Sequence, residues 1–182
     1  VGHSDCTAFQ CGLLAHAGVG SWHGPLAADD FGREEAAGGI DEVTVDCFRE
    51  AMSGELEAVG FRTEAGFDGL QARGTLWGGN LTVLCSLLGT PHWPKVKGGI
   101  LFLEDVNEHP YRVERMLLQL AQAGVLGAQK AVLLGQFTAW KKVASDRGYT
   151  LKSAVARVRE AVRDRKSTRL NSSHTDISRM PS

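Results

Sequence analysis

Apolar residues along this chain follow two distinct patterns, and the switch between them outlines the fold. Ile100-Leu-Phe-Leu103 and Ala131-Val-Leu-Leu134 are continuous apolar runs, which predict strands buried on both faces. The second ends at Gly135-Gln136-Phe137. Between them, Val113, Met116, Leu117 and Leu120 recur at three- and four-residue intervals behind Pro110. That spacing predicts a helix with one buried stripe and proline in its first turn. Residues 73–77 read as a further strand, and Gly78-Gly79-Asn80 turns it into a helix over 81–88, closed by Gly89 and Pro91. Residues 151–163 form a last amphipathic helix. Strands alternating with helices predict an α/β fold.

The first third of the chain is less regular. Residues 2–18 read as a turn and then a helix, with Phe9, Leu13, Leu14 and Ala17 near one face and Gly18 suited to the C′ position. Residues 19–25 are a short extended piece stopped by Gly24-Pro25, and residues 26–39 are acidic and small, as in a surface loop. Asp41 is placed to cap a helix carrying Val45, Phe48 and Met52. The signals weaken over 54–69, where a domain junction is expected, dividing the chain into 1–60 and 61–163. No internal repeat is visible.

Composition changes this picture little. The 182 residues are 43% hydrophobic and 23% charged with a net charge of −1, which supplies no electrostatic case for nucleic acid or an anionic membrane. No apolar run approaches the roughly 20 residues a membrane helix needs. Cys6, Cys11, Cys47 and Cys85 are scattered, without a CxxC pair or histidines at metal spacing, and read as free thiols in a reducing compartment. Residues 164–182, DRKSTRLNSSHTDISRMPS, are polar and aperiodic. They resemble the translation of a sequencing adapter and are set aside as a disordered artefact. With no initial methionine either, the chain reads as an interior fragment.

Two residues are candidates for chemistry. Ser4, in Gly2-His3-Ser4-Asp5-Cys6, sits where a strand turns into a helix, the layout of a nucleophile elbow. Cys6 replaces the second glycine of G-x-S-x-G, and on spacing alone a serine at position 4 is more often a helix N-cap than a nucleophile. Asp5 in the first turn suits the helix dipole without any further role. Glu104 follows a buried strand, at the end of the sheet where α/β proteins place their sites. It can orient a histidine, and the alternative is that Glu104 or Asp105 is a loop carboxylate or helix cap. His3 reads as an elbow residue, His23 as a strand-end residue that could line a cleft or satisfy a backbone carbonyl, and His16, His92 and His109 as loop or helix-end residues; none is singled out as a base. Arg112 and Arg115 with Glu108 and Glu114 read as a solvated, mutually paired helix face.

GHSDCTA, WHGP, TLWGGNLTVLCSLLGTP, GGILFLEDVNEHPYRVERMLLQL and AVLLGQF together resemble the LD-carboxypeptidase A family of serine peptidases, the muramoyltetrapeptide carboxypeptidases. The similarity runs through nearly all of residues 1–163. It implies part of a two-domain hydrolase: the end of a Rossmann- or flavodoxin-like N-terminal domain, then most of an α/β C-terminal domain. It also implies a Ser-Glu-His triad. Ser4 takes the place of the nucleophile, with His3 where the family usually has an aromatic residue, and Glu104 takes the place of the carboxylate. The backbone N–H of Asp5 would donate to the oxyanion. The family histidine lies further along the C-terminal domain, outside this chain, so the chain alone is expected to be inactive. His174 belongs to the adapter-like tail and is no substitute. The substrate implied is a cytoplasmic murein tetrapeptide, cut to release its terminal D-alanine during cell-wall recycling. No metal or organic cofactor, no nucleic acid and no membrane partner is implied, and family members pair as homodimers. Two alternatives stay open: a microcin-type peptidyl- or aminoacyl-adenylate hydrolase of the same family, and a non-catalytic peptide- or sugar-binding module.

Overall fold

A computed structural model describes residues 1–61, 69–163 and 170–172. Residues 62–68, at the expected junction, and His174 lie outside the described residues. At its centre is a parallel sheet of strands β1 (Leu76–Asn80), β2 (Ile100–Val106), β3 (Ala131–Thr138) and β4 (Leu170–Ser172), ordered in space as in the chain. Helices α3 (Leu81–Ser86), α4 (Pro110–Gln122) and α5 (Leu151–Arg163) make the three crossovers. Right-handed crossovers that always step in one direction lay their helices on one face of the sheet.

That one-sided cover explains the core. Leu101, Leu103, Val132 and Leu134 of the sheet pack with Leu81 and Leu84 of α3, Val113, Met116, Leu117 and Leu120 of α4, and Val155, Val158 and Val162 of α5. The predicted stripe of α4 is thus buried in full, behind Pro110 at its first helical position. Burial along β2 alternates, however: Leu101, Leu103 and Asp105 are buried, while Ile100, Phe102 and Glu104 are only partly covered. The expectation of a strand buried on both faces is therefore corrected. Among the described residues no crossover helix covers the second face, so the period-two alternation of a strand separates the two environments.

Strand β1 runs later than the predicted 73–77, through both glycines to Asn80. Its pairing with β2 is continuous, from Leu76 opposite Ile100 to Asn80 opposite Glu104. Gly78 permits this, because a Cβ there would lie 2.1 Å from the Phe102 carbonyl oxygen. Helix α3 starts at Leu81 as expected but ends at Ser86, before the expected residue 88. Strand β4 lies inside the tail set aside from the sequence, parallel to β3. An open strand edge presents unpaired N–H and C=O groups that three residues of almost any sequence can take up.

Ahead of the sheet come α1 (Cys6–Ala17) and α2 (Glu42–Ser53). Gly18 ends α1 in the left-handed conformation, its N–H donating to Leu14 O, and Asp41 caps α2 by accepting from Thr44 N at 2.7 Å. The buried face of α1 differs from the predicted one. Phe9 is 73% exposed, whereas Thr7, Gln10 and Cys11 are buried. On α2 no residue is buried, and Met52 is exposed.

Candidate active site

Ser4 occupies a bend between an isolated parallel bridge, Gly2 to His23, and the first turn of α1. Its φ is +56°, a left-handed conformation that costs a residue with a Cβ about 1–2 kcal/mol. Non-glycine residues held this way cluster at functional sites, where the surroundings over-determine them. Thr7 N donates to Ser4 O at 2.9 Å and Cys6 N to His3 O at 3.2 Å, which lock the bend to the helix. The N-cap position is Asp5, and it has no side-chain cap. Ser4 itself is exposed. The helix-cap alternative for Ser4 therefore fails, and the hydroxyl is left on the outside of a strained turn. Among the described residues Asp5 N–H donates to no carbonyl, so it remains an available donor beside that hydroxyl.

The cysteine that replaces the second glycine of the elbow fits this bend. A Cβ on buried Gly2 would come within 2.6 Å of Cys6 Sγ. The thiol fills the space that the glycine leaves, so the close approach needs only one glycine.

Glu104 lies within β2 rather than after it. Opposite it β3 carries one extra residue, since Leu103 pairs with Leu134 but Asp105 with Phe137. Such a bulge re-aims the side chains beside it. Alternation then sends the two adjacent carboxylates to opposite faces. Asp105, 3% exposed, accepts from Asn80 Nδ2 (3.0 Å), Thr82 N (2.9 Å), Thr82 Oγ1 (2.8 Å) and Val106 N (2.9 Å). It ties β2 to the start of α3 and is structural. Glu104 Oε1 is buried without a hydrogen-bond partner among the described residues. Burial, and then the negative charge of Asp105, push the Glu104 carboxyl above its usual range, against weaker opposing effects of His3 and Asn80.

The N-terminal bend and the end of the sheet meet through a small polar group. Thr7 Oγ1, fully buried, accepts Asn80 N–H at 3.0 Å. A Cβ on Gly79, whose φ is +132°, would collide with Thr7 Oγ1 at 2.6 Å and press on the His23 ring at 3.1 Å. His23 Nε2 lies 4.0 Å from Glu104 Oε1, and its ring stands edge-on to Phe102 at 5.7 Å. Gln10 Nε2 donates to Gly2 O and to Trp22 O, both at 2.8 Å, and its Oε1 is 3.4 Å from His23 Nδ1. Sequence reasoning missed Thr7, Gln10 and the meeting of His23 with Glu104. The available signal was two polar residues on the inward side of a helix ahead of a His-Gly-Pro stop.

His3, beside Ser4, pairs with Asp30 at 3.2 Å. His16 and His92 meet each other at 2.9 Å on the surface, and His109 faces Asp146 at 3.5 Å. Of the predicted charged face on α4, Arg112 pairs with Glu108 at 3.8 Å while Glu114 is taken by the Tyr149 hydroxyl. His3, Asp29 and Asp30 place donor atoms within 4.8 Å of one another. Arg33 already pairs with both carboxylates, at 3.4 and 3.5 Å, so part of the charge of this surface cluster is already offset. The four cysteines are free thiols. Among the described residues no helix is long and apolar enough to cross a membrane.

Comparison with known proteins identifies relatives in sequence and in fold. The chain is 34% identical over 136 residues to the probable murein peptide carboxypeptidase of Bacillus subtilis (strain 168), covering 75% of this chain and 42% of that protein. The crystal structure of muramoyltetrapeptide carboxypeptidase from Oxalobacter formigenes superimposes with a TM-score of 0.80 at 40% identity, over 94% of this chain and 55% of that one. MccF in complex with glutamyl sulfamoyl guanosine shares the fold, with a TM-score of 0.71 at 20% identity, over 94% of this chain and 57% of that one. The chain thus spans about half the length of the relatives it matches. Its β-α-β succession, from the strand that holds the paired glycines onward, falls within residues 73–175, which match the family described as LD-carboxypeptidase C-terminal domain. On that match, the chain belongs to the LD-carboxypeptidase family.

Proposed function

We propose that this chain supplies the nucleophile and the carboxylate of a serine L,D-carboxypeptidase acting on murein tetrapeptides. The observation that carries the reading is Ser4, held at φ +56° on an exposed bend whose bridge partner, His23, reaches Glu104. Ser4 Oγ attacks the carbonyl of the bond to the terminal D-alanine. The Asp5 N–H, at the positive end of α1, donates to the oxyanion that forms. Glu104 orients the imidazole that moves the proton. His23 is not that imidazole, because Gln10 occupies Nδ1 and Glu104 faces Nε2. The resemblance assigns the shuttle to a histidine further along the family's C-terminal domain. It also implies action in cytoplasmic cell-wall recycling and a homodimer, and no metal, organic cofactor or nucleic acid.

The test is D-alanine release from murein tetrapeptide by a full-length family enzyme carrying residues 1–163 of this chain, beside a peptidyl-adenylate substrate. Tetrapeptide cleavage abolished by Ser4→Ala supports the reading. Preferential cleavage of the adenylate, or unchanged turnover in Ser4→Ala, overturns it.

A further inference from the structure

The environment of His23 leaves its two ring nitrogens in different roles. Both carbonyl oxygens that Gln10 meets through Nε2 are acceptors only, so its amide has one orientation and Oε1 must face His23. An amide oxygen cannot donate. The proton of a neutral His23 is therefore on Nδ1, and Nε2 presents a lone pair toward Glu104 Oε1, 4.0 Å away. That oxygen is buried with no other partner among the described residues. A lone pair facing a carboxylate oxygen is unfavourable unless a proton sits between them, and an unpaired buried carboxylate is costly by itself. The side chains are 27% and 17% exposed, too covered for water to screen the contact fully.

We propose that His23 is a positioning residue for Glu104: its Nε2 lone pair faces Glu104 Oε1 across 4.0 Å, and this gap closes on one shared proton when the carboxyl is protonated, which anchors the carboxyl group in the site. The inference rests on the reading of Glu104 as the carboxylate of the hydrolase. Other ionisable groups acting on the pair are Asp105, through its charge from the opposite face of β2, and His3 of the N-terminal bend, itself paired with Asp30. Burial holds the His23 imidazole below its ordinary pKa and raises that of Glu104, so both groups favour the form in which the proton is on the carboxyl. Whichever atom carries it, the pair keeps zero net charge and behaves as one titrating unit. The proton ties down Oε1 and leaves the second oxygen to orient another imidazole, much as outer partners fix the ligating groups of a metal site.

Long-range 1H–15N correlations of the histidine rings in the 182-residue chain test this without turnover. The expected signature is a protonated Nδ1 throughout about pH 5–8, with Nε2 intermediate between bare and protonated. In Glu104→Ala, Nε2 becomes fully bare while Nδ1 stays protonated. Glu104→Gln, of the same shape, guards against loss of fold and removes the joint pH step of the pair. A ring protonated on Nε2 and bare on Nδ1, or an Nε2 signal that is the same in all three proteins, overturns the inference. In the full-length enzyme used for the hydrolysis test, His23→Gln is expected to lower kcat at least tenfold with KM within twofold. A proportionate rise in KM alone would also refute the positioning role. Absence of turnover in the unsubstituted enzyme with the ring signature intact counts against the hydrolase reading alone.

Discussion

If the bend at Ser4 is strained for the sake of its hydroxyl, removing the hydroxyl and removing the strain are separable. Ser4→Ala and Ser4→Gly both abolish a nucleophile, but only glycine accepts φ +56° without steric cost. A Cβ in that conformation costs about 1–2 kcal/mol. Glycine gives part of this back, because its unfolded chain has more freedom to lose, worth about 0.4–1 kcal/mol. The balance favours glycine over alanine by about 0.5–1 kcal/mol. Ser4 is exposed and its side chain caps no helix, so no lost packing confuses the comparison. Urea unfolding of the two variants, with equal slopes to show that the same surface is exposed, reads the difference directly. Expected are a higher midpoint for Ser4→Gly and equally absent hydrolysis in both. An alanine variant as stable as the glycine variant would mean that the turn stores no strain, and the elbow argument would fall with it.

Three further outcomes follow from the contacts around the site. Thr7→Val keeps the shape of a fully buried side chain but leaves Asn80 N–H unpaired; a loss of about 1–3 kcal/mol is expected, seen as a melting temperature lower by about 2–4 °C per kcal/mol, and an unchanged melting temperature would refute the link. Asp105→Asn places an amide against four neutral donors and destabilises by about 1.5–3 kcal/mol, whereas Glu104→Gln leaves stability unchanged or higher; chemical denaturation of both distinguishes the structural from the functional carboxylate. The pH dependence has two parts. Folded His23 resists protonation below its ordinary 6.5, so its contribution is complete above that pH and is lost as pH falls through the window beneath it. Folded Glu104 binds its proton more tightly than the ordinary 4.5, so its contribution is present below that pH and is lost as pH rises through the window above it. Because the two groups titrate as one unit, His23→Gln and Glu104→Gln should each alter both slopes of the unfolding free energy against pH, and parallel curves for all three proteins would refute the coupling.

What the sequence determined by itself was everything that depends on near neighbours. Pro110 and the stripe from Val113 to Leu120, the Asp41 cap and the Gly18 stop all follow from spacing within a turn or two of helix. The family resemblance added the choice of Ser4 and Glu104. Tertiary structure decided the rest. A helix that buries Thr7 and Gln10 while exposing Phe9 contradicts any reading by hydrophobicity, because those polar groups are satisfied by Asn80 N–H and by the carbonyls of Gly2 and Trp22. Parallel pairing carried β1 through two glycines that read locally as a turn. Strand alternation, with crossovers on one face only, separated Glu104 from Asp105. The meeting of His23 with Glu104 joins residues 81 positions apart, and no local pattern records a contact made only when the chain closes on itself.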